Sequence, residues 1–251
     1  MTVPRFHVPL DLAAGARLAL PERAVRHLQV LRLQPGETVH LFDGASPLDW
    51  PARIERIGKR DIEVTVASAP EPVDRELPRR VVLALGMPAN DRMDTLIGKA
   101  TELGAAGIVP LVTARSVLRL DGARAESRQR HWQAIAEAAC EQCGRARVPA
   151  VAVPGPLAAF LARGADAAPE GRDLLLSVSS AAGSAEAAVG AGDADLRVLS
   201  GPEGGLTGEE EEAALAAGFA PVTLGPRTLR ADTAPLALLA WLALRGSGAA
   251  A

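Results

Sequence analysis

From residue 79 onward, short runs that are apolar nearly throughout alternate with longer segments patterned for helices. The apolar runs are "RRVVLALG" (79–86), "GIVPLVT" (107–113), "RDLLLSVS" (172–179), "DLRVLS" (195–200) and "PVTLG" (221–225). Between them, "DRMDTLIGKATELG" (91–104) reads as an amphipathic helix ended by Gly104. "ESRQRHWQAIAEAACEQCGR" (126–145) reads as a long helix stopped by Gly144 and Pro149. A strand buried on both faces cannot alternate polar and apolar residues, so this rhythm predicts a mostly parallel sheet covered by helices, an α/β fold. Strand order is not visible, and the simplest expectation is an ordinary doubly wound sheet. Residues 179–195, "SSAAGSAEAAVGAGDAD", read as a loop with room for a short helix.

The first seventy residues follow another rule. "ARLALP" and "ETVHLFDG" read as strands, and "ARIERIGKRDIEVTVAS" as a hairpin turning at Gly58-Lys59. "PERAVRHLQVLRL" reads as a helix with Val25, Leu28, Leu31 and Leu33 as a partial apolar stripe. A small β-barrel-like domain over 1–72 is expected, then a Pro-rich, charged linker at 69–78 and a second domain over 73–251. A length of 251 residues with 48% hydrophobic content supports cores in both, built from aliphatic side chains because aromatics make up only 3%.

The 30 acidic residues against 27 basic ones say little, but their distribution says more. The first 150 residues are slightly basic and Arg-rich, which permits a nucleic-acid surface. The last hundred hold the whole acidic excess. Two cysteines, Cys140 and Cys143, cannot form a disulfide framework, and a lone C-x-x-C inside a helix is a poor zinc or redox motif. No metal is expected. The start "MTVPRFHVPL" lacks a signal-peptide pattern, and the longest apolar run, 234–244, is too short to span a bilayer, so a cytoplasmic location is expected.

Two loops beyond strand ends are unusually constrained: "SGPEGGLT" (200–207) and "GPRTLRADTAP" (225–235). Ligands of open α/β sheets sit beyond the carboxyl ends of the strands. Gly201, Gly204 and Gly205 let a backbone approach a ligand closely, Pro202 and Pro226 stiffen the turns, and Thr207 with Glu210 spells a capping box. A Gly-rich turn opening a helix usually cradles phosphate. Here Glu203 stands in the turn and Glu209–Glu212 in the first helical turn. A pyrophosphate beside Glu203 would be repelled by several kcal/mol at an effective dielectric of about 20. No Lys-Ser/Thr pair follows the glycines, and no early G-x-G-x-x-G supports a nicotinamide dehydrogenase. A cationic ligand without phosphate, such as S-adenosylmethionine, meets these conditions.

The same residues carry a family resemblance. "GPEGG", followed about twenty residues later by "LGPRTLRADTAPLALLA", resembles the C-terminal signature of the RsmE family, the 16S ribosomal RNA (uracil-N3)-methyltransferases of the SPOUT superfamily. "HLQVLRLQPGETVHLFDG" resembles that family's PUA-like domain. "KATELGAAGIVPLVTARS" and "RHWQAIAEAACEQCGRARVP" resemble its central blocks. The resemblance implies a trefoil-knotted SPOUT domain, a homodimer, S-adenosylmethionine as cofactor, and 16S ribosomal RNA or the small subunit as partner. Within it, Leu199, Ser200, Gly201, Pro202, Glu203, Gly204, Gly205, Leu224, Gly225, Leu229, Arg230, Thr233 and Ala234 are expected around the cofactor. Arg230 is the expected cation for the uracil anion and Asp232 the candidate base. Arg26, Arg32, Arg145, Arg147 and Arg227 are the expected RNA contacts. The chain departs from the pattern at Ala89-Asn90, at Ala231-Asp232-Thr233, and at Ser177 and Ser179, where a His is usual. The alternatives are another SPOUT RNA methyltransferase, or a non-catalytic RNA-binding protein on the same scaffold.

Overall fold

The computed structural model describes residues 3–59, 61–67, 69–163 and 171–246. The chain forms two compact units: Met1–Glu76 with Glu137–Val148, and Leu77–Ala136 with Pro149–Ala251.

The first unit holds β1 (Arg5–His7), β2 (Arg17–Ala19), α1 (Glu22–Val30), β3 (Thr38–Phe42), β4 (Leu48–Ile57), β5 (Ile62–Val66) and β6 (Glu71–Pro72). The strands run in the order β1-β3-β4-β5-β2, with β6 paired to β4. All pairs are antiparallel except β1 with β3. The β4–β5 hairpin closes where Gly58-Lys59 implied, through Gly58 N–H to Asp61 O at 2.8 Å. Alternation sends Ile54, Ile62, Val64 and Val66 inward, onto Val25 and Leu28 of α1. Helix α1 stops at Val30, short of the expected stripe, because Arg32 adopts a left-handed conformation (φ 56°) and turns the chain away. Leu31 is accordingly left 43% exposed. The expected linker contains a strand, β6, because Glu71 and Pro72 pair with Asp49 and Leu48.

Residues 137–148 join this unit through specific bonds. Arg23 Nη1 donates to Glu137 at 2.5 Å, His7 N–H to Glu141 at 3.0 Å, and Arg147 bridges Gly44. Cys140 lies fully buried with Phe42 and Ala146, and burial pushes its thiol up to about 12. A thiol held protonated is not a nucleophile. Alkylation of the folded protein at pH 8 should therefore modify Cys143 and spare Cys140. Equal labelling of both in peptide mass spectra would contradict this packing.

The second unit comprises β7 (Val81–Gly86), α2 (Asn90–Glu102), β8 (Gly107–Val112), α3 (Gly122–Cys143, whose last residues belong to the first unit), β9 (Ala150–Val151), β10 (Gly155–Pro156), α4 (Leu157–Ala162), β11 (Arg172–Leu176), β12 (Gly183–Ser184), α5 (Ala185–Val189), β13 (Leu196–Ser200), α6 (Gly208–Ala216), β14 (Ala220–Thr223) and α7 (Thr233–Gly246). Every strand pair is parallel, in the order β10-β8-β7-β13-β11-β14-β12, with β9 on β8. This order is not a simple winding outward. The place between β7 and β11 is filled by β13, later in the chain than either, and its five residues are all buried.

That central strand carries a charge. Arg197 meets its register partner Asp173 on β11 through two parallel bonds, Nε to Oδ1 at 2.6 Å and Nη2 to Oδ2. The rings of Phe160 and Phe219 stand 5.8 and 5.5 Å from its guanidinium carbon. Helices α2 and α3 are joined by Asp94, which accepts from buried Trp132 Nε1 and pairs with His131 Nε2, both at 2.8 Å. Leu238, Leu239 and Leu242 of α7 are buried, while Leu244 is 76% exposed.

Candidate cofactor cleft

The carboxyl ends of β11, β13 and β14, three adjacent strands, open into one cleft of about 550 Å³. That volume suits a nucleoside-sized ligand. The loop after β13 forms one wall, from Ser200 to Leu206, and the loop after β14 another, from Leu224 to Ala231. Both expected loops are thus present. They are not neighbours, however, because β11 lies between them. Its end supplies a third wall, Leu176, Ser177 and Val178.

The glycine loop is fitted closely to its support. A Cβ on Gly201 would lie 2.9 Å from Leu206 N, and one on Gly86, at the end of β7, 2.6 Å from Pro202 N. The first methyl group would force the two ends of the loop apart, and the second would push the loop away from the sheet.

The glutamates are used differently from one another. Glu210 completes the capping box: Thr207 Oγ1 accepts Glu210 N–H at 3.2 Å, and Glu210 Oε2 accepts Thr207 N–H at 2.9 Å. Its other oxygen accepts Ala114 N–H at 2.7 Å. At this helix start the Thr207 N–H is thus taken by a carboxylate and the Glu210 N–H by a hydroxyl. Glu203 lies in the cleft wall, accepts Ala89 N–H at 3.3 Å, and pairs with Arg92 at 3.5 Å. Arg92 escaped the sequence reading because it sits on α2, more than a hundred residues away.

This pairing changes the expected charge of the cleft. Its lining holds Arg92, Arg227 and Arg230 against Glu203 and Glu211, so it is not a negative pocket.

Most of the other expected cofactor residues line the cleft: Ser200, Gly201, Pro202, Glu203, Gly204, Gly205, Leu224, Leu229, Arg230 and Ala234. Leu199 is instead buried in the core beneath, and Gly225 and Thr233 lie outside the lining. Asp232 also lies outside it, with Oδ1 accepting the Thr233 hydroxyl at 3.3 Å. Among the described residues Arg230 makes no ion pair. Its carbonyl accepts Thr233 and Ala234 N–H at 2.9 and 3.0 Å, which starts α7.

Of the expected RNA contacts, Arg26, Arg32 and Arg147 are exposed in the first unit, and Arg227 is exposed at the cleft. Arg145 is a correction. It is 3% exposed, and its guanidinium is held by Glu76, through Nε to Oε1 at 3.0 Å and Nη2 to Oε2. A cation closed off in this way supports the unit's packing and is not available to a phosphate. Among the described residues no group of three His, Cys, Asp or Glu is placed to hold a metal ion, and no helix is long and apolar enough to cross a membrane.

The fold and cleft have known relatives. Residues 75–243 match the model of an RNA methyltransferase domain, and residues 20–67 match that of an RNA methyltransferase PUA domain. The chain is 34% identical to the ribosomal RNA small subunit methyltransferase E of Synechocystis sp. over 241 residues, covering 94% of this chain and 76% of that protein. It resembles the crystal structure of ribosomal RNA small subunit methyltransferase E from Neisseria gonorrhoeae bound to S-adenosyl methionine, with a TM-score of 0.87 and 37% identity. That likeness covers 96% of this chain and 97% of that one. A putative methyltransferase from Legionella pneumophila in complex with the same cofactor gives a TM-score of 0.89 at 33% identity, covering 98% and 99%. Two domain models in the expected order, over a cleft built from three strand ends, make this chain a member of the RsmE family of RNA methyltransferases.

Proposed function

We propose that the chain methylates N3 of one uridine in the decoding region of 16S ribosomal RNA, with S-adenosylmethionine as donor. The observation that carries this reading is the cleft itself, with backbone walls from the β13 and β14 loops and Arg230 on its lining without an ion pair among the described residues. The residues present fit the cofactor. Leu176, Leu206, Val222, Leu224 and Leu229 offer an apolar surface for a purine, and loop backbone groups offer donors and acceptors for its edge and for ribose. Glu203 or Glu211 can face an ammonium. When bound, the cofactor supplies an electrophilic methyl group on a sulfonium.

The chain's own task is to align the acceptor and to make it nucleophilic. Uracil N3 carries a proton at neutral pH, so the developing anion needs a nearby cation. We assign the cation to Arg230, which reaches O2 or O4 of the ring; the N3 proton leaves to water, because the candidate base Asp232 lies outside the lining. Arg227 is assigned to the RNA backbone. RNA is recognised mainly by shape and phosphate contacts, with the target base splayed out. Arg26 and Arg32, on a PUA-like domain spanning 1–72, belong to this surface, as does Arg147, which lies in the following methyltransferase domain (73–251) by sequence but in the first compact unit. The SPOUT trefoil knot, a homodimer joined through the apolar α7, and a cytoplasmic location belong to the same reading.

The test uses small ribosomal subunits from a strain lacking the enzyme, incubated with the protein and labelled S-adenosylmethionine. Label should appear on one uridine as 3-methyluridine. Tight cofactor binding with label elsewhere would reassign the target. Absence of cofactor binding by calorimetry would favour a non-catalytic RNA-binding role.

A further inference from the structure

The turn after β8 lies beside the glycine loop and is rigid in its own right. Thr113 N–H donates to Ser116 Oγ at 3.0 Å, the two hydroxyls meet at 3.0 Å, and Ser116 N–H returns to Thr113 O at 3.1 Å. Both side chains are buried. This turn presents two donors to the neighbouring loop. One is Ala114 N–H, which reaches the capping carboxylate of Glu210. The other is Arg115, whose Nη1 donates to Gly204 O at 2.8 Å and Leu206 O at 3.1 Å. Its stem lies flat on Gly204, with Arg115 Cβ and Cδ each 3.3 Å from where a Gly204 Cβ would stand.

These bonds hold part of the loop's backbone in place. Gly205 N–H goes to Pro202 O, Thr207 N–H to Glu210, and the carbonyls of Gly204 and Leu206 to Arg115. Those two carbonyls flank Gly205, which adopts a left-handed φ of 69° and lines the cleft. Without Arg115, both carbonyls lose their partner, and a Gly-rich segment regains freedom that binding must then remove.

We propose that Arg115 is a positioning residue that holds the wall of the cofactor cleft in its binding shape before any ligand enters. The proposal rests on the reading of this cleft as the S-adenosylmethionine site. Arg115 is not part of the cleft lining, so it acts through the loop and not on the ligand. Loss should weaken ligand binding and leave the chemical step alone. Both hydrogen bonds leave from one nitrogen, so a lysine ammonium at that place can serve both carbonyls, and the planar fork of arginine is not required.

Arg115→Met keeps the stem and removes the donors, and Arg115→Lys restores a donor. In Arg115→Met, the dissociation constants for S-adenosylmethionine and S-adenosylhomocysteine should both rise about tenfold or more. kcat at saturating cofactor should stay within about threefold of wild type, and Arg115→Lys should recover most of the affinity. Hydrogen exchange of a peptide covering 203–207 should speed up in the ligand-free Arg115→Met protein. Unchanged affinity and unchanged exchange, or a fall in kcat with affinity intact, would overturn the proposal. Faster exchange in a protein whose wild type binds neither compound would uphold the positioning role and sink the cofactor reading instead.

Discussion

Replacing Arg230 with alanine should lower turnover at saturating cofactor by roughly 10²–10³-fold, the usual cost of removing one group that stabilises developing charge. Cofactor affinity should move by only a few fold. The argument begins with the competing structural role. A loop arginine near two carboxylates is often an ion-pair partner, and Glu203 and Asp232 are the obvious candidates. Glu203 is instead paired with Arg92, and Asp232 accepts from Thr233. The backbone of Arg230 is fixed by Thr233 and Ala234, so the side chain is held at the cleft while its charge stays available. Arg230→Lys should recover part of the rate, since an ammonium supplies charge without the fork. The measurement is single-turnover methyl transfer to small subunits, alongside calorimetric cofactor binding. Equal losses in rate and affinity would reassign Arg230 to holding the cofactor.

Much of the cleft could be read from residues whose neighbours are close in sequence. The capping box at Thr207–Glu210, the helix end at Gly104, the hairpin at Gly58-Lys59 and the two loops beyond strand ends all depend on local geometry. Each is found where its pattern placed it. What escaped depends on strand order. Period and composition do not say that β13 enters between β7 and β11. They therefore hid the third wall at Leu176–Val178, which stands between the loops after β13 and β14.

The electrostatics failed for the same reason. Glu203 reads as an uncompensated charge until Arg92 is brought across from α2, and Arg145 reads as a surface cation until Glu76 closes over it. A charged side chain in a sequence has no visible partner unless the partner lies one helical turn away. The run Glu209–Glu212 reads from sequence as an ordinary acidic first turn that stabilises its helix. Placed in space, Glu210 caps α6 and grips the β8 turn, while Glu211 faces the cleft.

Removing the carboxylate of Asp173 should destabilise the second unit by about 3–5 kcal/mol, because it takes a charged partner from Arg197, a buried cation beside two aromatic rings. The side chains of Arg197 and Asp173 are 10% and 14% exposed, so water cannot readily replace the lost partner. A loss of that size should lower the thermal midpoint of Asp173→Ala by roughly 10 °C. The pair also ties β11 to β13, the two strands whose far ends carry the Leu176–Val178 wall and the glycine loop. Cofactor affinity at low temperature should nevertheless change little. The pair sits at the amino half of both strands, and the ladder up to Leu175–Leu199 remains. The double variant Asp173→Leu with Arg197→Met should regain most of the lost stability, since apolar side chains of similar volume often replace a buried ion pair without penalty. If Asp173→Ala melts within 2 °C of wild type, the pair is solvated in solution and Arg197 is held by its other contacts. If the single variant is destabilised and the double variant is no better, the cost lies in the further contacts of Arg197 and not in the loss of the paired charge.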